Sequence, residues 1–453
     1  MSQKIAEWSG GAWLNPPDGC MTGFCFDARQ IQPGQCFVAL SGGARDGHDF
    51  IEQAAQGGAM AAIVERAQPI ALPQLQVRDS LCALAAIAAA VRSQFSKPVI
   101  AITGSCGKTS TKEMLRRLLG DDRTHATAGN WNNRIGVPMT LFGLDSAQHD
   151  FAVIEAGINQ PHEMQALGQM IQADLNVLTN IGPAHLELLD SLENVAVEKS
   201  LLAKSAMPGS PVVLPAEVLQ FPAYAQLADR AIALLQEGTP APAVMPRAIV
   251  RYAIHTLDDA QQLILDGRKY RIASLSRGIA RNAALAIIAA SELGIAEADI
   301  CKRIEAWRPT GSRGRIETFG EQTFYIDCYN ANPSSMADAL AAFRRSVSPD
   351  VAHLYILGGM NELGAHAAEH HYRIGNLLQL RSQDRVVFVG PDTLVHAYLA
   401  GALAAGLPAS QLKCVDHIEK VKSIVAPFVG AIFLKGSRSY QLEKLLPPQD
   451  LVA

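Results

Sequence analysis

The sequence predicts an α/β protein of three domains, and three observations lead to this prediction. The chain has 453 residues, of which 49% are hydrophobic and 18% charged, a length that corresponds to about three domains of ordinary globular composition. Beyond residue 98, short apolar strands alternate with helical patterns, which is typical of parallel sheets with crossover helices. A glycine-rich loop at 99–110 also joins a strand to a helix, as in phosphate-binding folds.

Residues 1–97 are predicted to form a small α/β domain that ends near the Lys97-Pro98 linker. Its expected elements are strands at 36–40 and 61–64 and helices near 50–57 and 80–95. The longest apolar run, Leu81–Val91, is Ala-rich and far shorter than the roughly 20 residues that cross a bilayer. We therefore predict a buried helix in this run rather than a membrane span.

Residues 98–310 and 311–453 are predicted to form a central parallel sheet and an open, doubly wound, Rossmann-like sheet. In the central domain we expect strands at 99–103, 151–155 and 176–181, with helices from Thr109 and after Pro161. The Pro-rich piece at 238–242 and the segment to about 275 are expected to form a loop and a small β excursion. In the C-terminal domain the expected strands lie at 324–327, 353–357, 385–389 and 431–434.

Composition and charge exclude several classes of protein. The net charge is -4 and no Lys/Arg-rich run occurs, so we expect neither a nucleic acid nor an anionic membrane surface as partner. The segment Met1–Leu14 lacks the apolar core of a signal peptide. The cysteines occur without CxxC pairs or a zinc-like spacing with histidine, which favours reduced thiols. We expect a cytoplasmic monomer without membrane insertion.

A phosphate-binding loop is predicted at Val99–Ser110, where an apolar strand runs into glycines, a lysine and two hydroxyls. Backbone N–H groups at the start of the following helix point at phosphate oxygens. Lys108 is expected to neutralise the terminal phosphates, and the Thr109 hydroxyl to bind Mg²⁺. The alternative, a glycine turn followed by a lysine by chance, accounts for neither the strand before it nor the helix after it. ATP and Mg²⁺ are therefore the predicted cofactors, with ATP contacts from Thr103, Gly104, Ser105, Cys106, Gly107, Lys108, Thr109 and Ser110.

Polar residues follow three predicted strands of the central sheet, at the edge where ligands bind in such folds. Lys108 and Thr109 follow the first strand, Glu155 ends the next and His185 follows the third. Taken singly, Glu155 would be interpreted as a surface charge and His185 as a satisfied loop histidine. Because the carboxyl ends of parallel strands meet at one edge, we expect these residues to converge on a Mg²⁺ site, to which carboxylate and hydroxyl oxygens are suited.

The short loop, with Ser105 and Cys106 alone between its glycines, resembles that of the Mur ligase superfamily, which also includes folylpolyglutamate and cyanophycin synthetases. Further segments that match the family's motifs in order are Ala128–Pro138, Glu155–Asn159, Thr179–His185, Gly314-Arg315, 357–364 and Lys435–Arg438. The segment Asp327–Met336 is similar to that of the members that add D-alanyl-D-alanine. Members that add diaminopimelate or lysine carry Asp-Tyr-Ala-His-Thr-Pro here and Asp-Asn-Pro-Arg later, and the chain has neither. The resemblance covers nearly the whole chain.

The resemblance implies an ATP-dependent carbon–nitrogen ligase that joins D-alanyl-D-alanine to a UDP-N-acetylmuramoyl-tripeptide through an acyl phosphate, in cytoplasmic peptidoglycan precursor synthesis. By the same resemblance, residues 1–97 bind the UDP end of the muropeptide, 98–310 bind ATP and 311–453 bind the incoming dipeptide. Both substrates are therefore the expected partners. Two alternatives stay open: a catalytically weak paralogue that binds UDP-muropeptide, and another amide ligase of the superfamily that joins glutamates to a folate or a polymer.

The resemblance also implies roles for individual residues. Lys108, His185 and Lys199 are expected to be catalytic; Lys199 matches the family's carbamylated lysine, with a solvated lysine on a helix face as the alternative. The expected metal ligands are Thr109, Glu155, His185 and carbamylated Lys199, and further ATP contacts are expected from Asn282, Arg315 and Asp327. Substrate contacts are expected from Asp27, Arg29, Asp46, Gly47, His48, Asn130, Asn132, Asn133, Asn330, Asn332, Lys435, Ser437 and Arg438. Without the resemblance, 46–48 and 330–333 would be interpreted as turns.

The chain departs from the family's pattern near the expected nucleotide. Where the family has Gly-Arg-His-Asn-x-x-Asn-Ala, the chain has Ser276–Ala283, so that Gly278 and Ile279 replace the histidine and the first asparagine. These changes put the adenine-side contacts in question. There are three other departures from the family's pattern: Ala28 stands where Ser or Thr is usual, Gly359 where Asp is usual, and Ser200 where Gly is usual. The phosphate and metal apparatus is unchanged, which favours an active enzyme.

Overall fold

The computed structural model describes residues 2–42, 45–158 and 160–447, and its strands form three sheets of five, nine and six strands. Each sheet with its helices is called a domain below: N-terminal, central and C-terminal. The predicted α/β class with three sheet domains is confirmed, whereas the boundaries at 97 and 310 stay predictions. Asn159, which ends one matched motif, lies outside the described residues. In the described part of the chain, no helix is long and apolar enough to cross a membrane.

The N-terminal domain consists, in chain order, of α1 (Ser2–Ser9), β1 (Ala12–Trp13), β2 (Gly23–Cys25), β3 (Gln35–Val38), α2 (Ile51–Gln56), β4 (Ala61–Val64), β5 (Gln74–Gln76) and α3 (Ser80–Gln94). Its strand order is β1-β5-β4-β3-β2, with β1 antiparallel to β5 and the other pairs parallel. Helix α3 begins at Ser80 because the Asp79 carboxylate accepts the Cys82 N–H at 2.7 Å as an N-cap. The helix buries Leu84 and Ile87 against the sheet of its own domain, and Ala88 packs into a core cluster of the central domain, so the predicted buried helix lies between two cores.

The central domain consists of β6 (Val99–Thr103), α4 (Lys108–Leu119), β7 (Thr124–Ala126), α5 (Gly136–Leu141), β8 (Phe151–Glu155), α6 (Glu163–Ile171), β9 (Leu175–Leu178), α7 (Leu186–Leu189), α8 (Leu192–Lys204), β10 (Val212–Pro215), α9 (Pro222–Ala225), β11 (Ala231–Gln236), β12 (Ala248–Thr256), β13 (Gln261–Leu265), β14 (Arg268–Ile272), α10 (Arg277–Glu292) and α11 (Glu297–Glu305). Its strand order is β14-β13-β12-β11-β10-β9-β6-β8-β7. The pairs from β7 to β12 are parallel, and β12, β13 and β14 form an antiparallel meander.

This topology places three strand ends side by side. Strand β6 lies between β8 and β9, so the residues that follow Thr103, Glu155 and Leu178 share one edge of the sheet. These strands are buried along almost their whole length because helices cover both faces of the sheet. The polar groups at their ends are thereby directed to the one open edge.

The C-terminal domain consists of β15 (Arg315–Phe319), β16 (Gln322–Ile326), α12 (Pro333–Ser346), β17 (His353–Gly358), α13 (Ala367–Asn376), β18 (Arg385–Val389), α14 (Asp392–Ala404), β19 (Leu412–Val415), α15 (Glu419–Val425) and β20 (Gly430–Lys435). Its strand order is β15-β16-β20-β17-β18-β19, and after the antiparallel β15–β16 hairpin every pair is parallel. Asp327 therefore leaves β16 beside Lys435, the last residue of β20.

Candidate active site

A cleft of about 600 Å³ lies between the central and C-terminal domains. The central domain contributes the loop after β6 with Glu155 and His185, and the C-terminal domain contributes the segments that follow β16 and β20. The predicted site residues that line the cleft are Ser105, Cys106, Gly107, Lys108, Thr109, Ser110, Asn130, Asn132, Asn133, Glu155, His185, Asn282, Asp327, Asn330, Asn332, Lys435, Ser437 and Arg438. The structure thus brings most of the predicted residues into one cavity.

The two glycines of the phosphate-binding loop are required because neighbouring side chains leave no space for a Cβ atom. Gly104 has φ +149°, and a Cβ at this position would lie 1.9 Å from Thr179 Oγ1. Gly107 has φ +81° as the N-cap of α4, and a Cβ there would lie 2.4 Å from Asn282 Nδ2. Both conformations are left-handed ones that side chains rarely adopt. Any residue other than glycine would move the loop away from its neighbours.

Asn180 fixes the first half of the loop. Its Oδ1 accepts hydrogen bonds from the N–H groups of Ser105 and Cys106 at 3.2 and 3.0 Å. The Ser105 hydroxyl donates to the Gly182 carbonyl at 2.9 Å and accepts the Gly182 N–H at 3.0 Å. The next four residues, 107–110, line the cleft at the N-terminus of α4. This arrangement presents a rigid helix N-terminus to the cavity, which suits an anion.

Lys108 is held against the same loop. Its Nζ donates to the Gly104 carbonyl at 2.8 Å. Desolvation lowers the pKa of Lys108, and the nearby Glu155 carboxylate opposes that shift. The ammonium group therefore lies beside the first turn of α4, where both contribute positive potential.

Thr109 and Glu155 form a pair of oxygen donors on the cleft wall. The Thr109 hydroxyl donates to Glu155 Oε2 at 2.8 Å, and Asn132 Nδ2 donates to Oε1 at 2.7 Å. Glu155 is 1% exposed, and Lys112 Nζ lies 4.0 Å from its Oε2. Hard oxygen ligands of this kind fit Mg²⁺, which takes few protein ligands and completes its shell with water and phosphate oxygens. Glu155 is therefore a buried residue of the site and not a surface charge.

His185 lies on the same cleft and contacts the C-terminal domain. Its Nδ1 is 2.6 Å from Glu362 Oε2, and this contact lowers the pKa of the Glu362 carboxyl. Both residues have positive φ, +57° and +65°, an uncommon conformation for residues other than glycine. Across the described residues, no group of three or more His, Cys, Asp and Glu side chains is arranged to hold a metal. A metal ion here would rely on Thr109 and Glu155, on His185, on phosphate oxygens and on a modified side chain.

Lys199 is buried in α8 and is not a solvated lysine on a helix face. Its side chain is 1% exposed, and within the described ranges its Nζ has no hydrogen-bond partner. Burial, and then the nearby charge of Lys108, lower the pKa of Lys199 well below its ordinary value. In this environment the charged form of the amine is disfavoured. The alternative interpretation, a solvated lysine on a helix face, is therefore wrong.

The C-terminal wall of the cleft is built around a buried ion pair. Lys435 Nζ lies 2.7 Å from Asp327 Oδ2 and 3.3 Å from the Asn330 carbonyl, and Lys435 is 1% exposed. Asn332 is the N-cap of α12, where it accepts the Ser335 N–H at 2.9 Å. The turn interpretation of 330–333 thus describes the local geometry, although both asparagines also line the cleft.

An arginine that the sequence did not single out also lines the cleft. The guanidinium carbon of Arg313 lies 3.9 Å from the centre of the Tyr329 ring, and both side chains line the cavity. In the described part of the chain, Arg315 does not line the cleft, and its guanidinium lies 3.0 Å from the Glu317 carboxylate. Both arginines belong to one basic, glycine-rich segment, 311–315, which is the signal that sequence reasoning could have used for Arg313.

The predicted residues of the N-terminal domain lie away from this cavity, since none of the described residues before Ser105 lines it. Asp46 forms an ion pair with Arg66 at 2.5 Å and contacts His48 Nδ1 at 2.7 Å, while His48 Nε2 accepts the Glu65 N–H at 2.9 Å. A Cβ on Gly47 would lie 2.5 Å from the Leu40 backbone nitrogen. These contacts fit the interpretation of 46–48 as a structural turn, and a binding role for the segment stays a prediction.

The remaining predicted residues of the N-terminal domain, Asp27 and Arg29, form an ion pair with each other. Arg29 donates to both carboxylate oxygens of Asp27, and these bonds lower the pKa of Asp27 to about 2. The neighbouring Phe26 ring is centred 5.9 Å from the ring of Trp131, which belongs to the 130–133 loop on the cleft. Phe26 therefore contacts the central domain, and a binding role for Asp27 and Arg29 stays a prediction.

Sequence models of protein families match most of the chain. The models are described as the Mur ligase family catalytic domain at residues 21–120, the Mur ligase middle domain at 102–290 and the Mur ligase glutamate ligase domain at 314–436. The UDP-N-acetylmuramoyl-tripeptide--D-alanyl-D-alanine ligase of Escherichia coli strain K12 is 31% identical over 427 residues, with 93% of this chain and 92% of that protein covered. The ligase of the same name from Treponema pallidum strain Nichols is 30% identical, with 94% and 93% covered.

Solved structures of Mur ligases are also similar to this chain. The chain is similar to the crystal structure of MurF from Acinetobacter baumannii with a TM-score of 0.86 and 28% identity, over 98% of this chain and 97% of that one. The fold also matches MurF ligase from Thermotoga maritima, solved in complex with ADP, with a TM-score of 0.78, 22% identity and coverage of 93% and 95%. The matched models and relatives span the domains on both sides of the cleft, and on this ground the chain belongs to the Mur ligase family.

Proposed function

We propose that this chain is an ATP-dependent amide ligase that joins D-alanyl-D-alanine to a UDP-N-acetylmuramoyl-tripeptide. Its relatives of that name are about as long as the chain and align along nearly all of it. The observation that carries the proposal is the cleft itself: the phosphate loop with the Thr109–Glu155 pair faces the Asp327–Lys435 pair of the C-terminal domain. One cavity can thus hold a triphosphate, a metal ion and two joining groups.

The chemistry begins with a carboxylate that is too poor an electrophile to react with an amine. Transfer of the γ-phosphate of ATP to the terminal carboxylate of the tripeptide gives an acyl phosphate and ADP. The amine of D-alanyl-D-alanine then attacks the acyl carbon, and inorganic phosphate leaves from the tetrahedral intermediate as the amide forms. Charge stabilisation and positioning dominate such transfers. Lys108 and the first N–H groups of α4 supply positive potential at the β- and γ-phosphates.

Mg²⁺ would be held by Thr109 and Glu155, with His185 and a carbamylated Lys199 for a second ion. When bound, Mg²⁺ neutralises charge on the phosphate oxygens. The environment of Lys199 suits the modification: in its deprotonated form the amine nitrogen can attack the carbon of CO₂ and release one proton to water. The product is a carbamate, which turns a buried amine into a carboxylate-like ligand. The burial and lowered pKa of Lys199 support this step.

The three domains are proposed to divide the substrates among them. Residues 98–310 bind ATP, residues 311–453 bind the dipeptide near Asn330 and Ser437, and residues 1–97 bind the UDP end of the muropeptide. The contact between Phe26 and Trp131 supports a path for the muropeptide from the cleft across the 130–133 loop to the N-terminal domain. Apposition of the domains would shield the acyl phosphate from water.

The test is phosphate release from ATP in the presence of UDP-N-acetylmuramoyl-tripeptide and Mg²⁺, with and without D-alanyl-D-alanine. We expect turnover that depends on the dipeptide and is lost in Glu155→Gln, whereas Glu193→Gln, an exposed glutamate on α8, serves as the matched control. Nucleotide binding without turnover would favour the weak paralogue. Turnover with glutamate in place of the dipeptide would favour a different amide ligase of the superfamily.

A further inference from the structure

A carboxylate of the C-terminal domain docks on the first turn of a helix in the central domain. Asp338 lies on α12, and its Oδ2 accepts a hydrogen bond from the Ser276 hydroxyl at 2.5 Å. Its Oδ1 accepts the Gly278 N–H at 3.1 Å. Ser276 is itself the N-cap of α10, where its hydroxyl oxygen accepts the Ile279 N–H at 2.9 Å. Asp338 therefore satisfies an N–H group that the helix leaves open and places negative charge at the positive end of the helix dipole.

Gly278 makes this contact possible. A Cβ at this position would lie 2.9 Å from Asp338 Oδ2 and 3.3 Å from its Cγ, so a side chain here would displace the carboxylate. The backbone of Gly278 is not left-handed, and therefore conformational freedom does not explain the glycine. This is the position at which the chain departs from the histidine of the family pattern. The departure removes a side chain where the domain contact needs space.

We propose that Asp338 is a positioning residue: with Ser276 and Gly278 it forms a latch that holds the C-terminal domain over the phosphate loop before substrates bind. Helix α12 directly follows the Asp327–Asn332 segment, so fixing α12 also fixes these groups opposite Lys108. A second contact lies elsewhere on the cleft, where the Glu362 carbonyl accepts the Glu187 N–H at 3.2 Å. The C-terminal domain is thus joined to the central domain at two separate places.

The expected effect of the latch is on apparent affinity. If substrates bind productively to the closed arrangement, the apparent dissociation constant equals the intrinsic one divided by the closed fraction. Loss of charge-assisted hydrogen bonds at Asp338 lowers that fraction, and we expect KM for ATP to rise about tenfold. Saturating substrates restore the closed state, so kcat should stay within about twofold. A residue needed for the chemistry itself would lower kcat instead.

The experiment combines scattering with kinetics on the full chain. Small-angle scattering of the substrate-free protein should give a larger radius of gyration for Asp338→Ala, and Asp338→Asn should lie between that variant and the unsubstituted protein. The matched control is Asp392→Ala, which replaces an exposed aspartate at the start of α14 in the same domain. It should change neither the radius of gyration nor KM for ATP. Gly278→Ala should act like Asp338→Ala without loss of thermal stability, because alanine favours a helix over glycine.

Unchanged dimensions together with an unchanged KM in Asp338→Ala would overturn the proposal, as would a fall in kcat without a change in dimensions. Should Asp338→Ala fail to fold, Gly278→Ala decides by the same two measurements. The kinetic part rests on the proposed function, whereas the scattering does not. Absence of dipeptide-dependent turnover would therefore count against the proposed function and leave the latch to be decided by the radius of gyration.

Discussion

Replacement of Lys199 by methionine is expected to make the protein more stable and inactive at once. The side chain is 1% exposed, and in the residues described its Nζ finds no hydrogen-bond partner. Burial of a polar group without a hydrogen bond costs about 1–3 kcal/mol, and methionine fills a similar volume without that cost. We therefore expect the free energy of unfolding to rise by about 1–3 kcal/mol at neutral pH. Turnover should be lost, since no carbamate can form.

The stability gained by Lys199→Met should decrease as the pH rises. Because the pKa of Lys199 is lowered in the folded state, the unfolded chain binds more protons between the folded-state pKa and the ordinary value of 10.5. The stability of the unsubstituted protein therefore rises with pH across that window. The advantage of Lys199→Met is full below the folded-state pKa and shrinks as the pH approaches 10.5.

The assay is thermal unfolding in CO₂-depleted buffer without Mg²⁺, at several pH values. Each kcal/mol shifts the midpoint by about 2–4 °C in a domain of 150–250 residues. Lys204→Met, an exposed lysine in the last turn of the same helix, is the control and should change stability by about 0.5 kcal/mol or less. If Lys199→Met were less stable than the unsubstituted protein at every pH, the amine would have a stabilising partner and the reasoning would be refuted.

Three further predictions concern residues of the cleft and the buried Lys112 beside Glu155. Lys108→Ala and Glu155→Ala should each abolish turnover with unchanged far-UV circular dichroism, and a near-normal rate would remove that residue from the mechanism. Lys112→Met leaves two backbone carbonyls without the donor that lies 2.6 and 3.3 Å from them, so it should destabilise the fold by about 3 kcal/mol in urea unfolding; an unchanged midpoint would contradict this. Arg313→Ala removes a cation from the cleft beside Tyr329 and should lower kcat/KM by about tenfold. Steady-state kinetics would measure this change, and an unchanged kcat/KM would contradict the prediction.

The elements of the fold that sequence reasoning located best are short apolar runs between glycine and polar residues. The predicted strands at 99–103 and 151–155 have the bounds of β6 and β8. The strand predicted at 176–181 ends at Leu178 in the structure, because Thr179 and Asn180 turn to bond the phosphate loop. The segment predicted to form a small β excursion extends the central sheet, because β12 pairs with β11. The sequence did not indicate this pairing, since a strand's partner depends on distant residues.

The candidate site was predictable where one domain supplies it. Thr109 and Glu155 follow neighbouring parallel strands, so strand order alone brings them together. Glu362, Asp338 and Arg313 reach the cleft from the other domain, and their positions depend on how the two domains pack. A single sequence carries no local pattern for such packing, which is why Glu362 and Asp338 were missed, whereas the basic, glycine-rich segment 311–315 could have indicated Arg313.

The close fit of Gly104 against Thr179 has a consequence for inhibition. The Cβ of any substituting residue would overlap the threonine hydroxyl, which lies 1.9 Å from its position, so spontaneous exchange at this codon would damage the protein that it alters. A compound that binds the main chain of residues 107–110, which line the cleft beyond this turn, would therefore face few tolerated substitutions at Gly104.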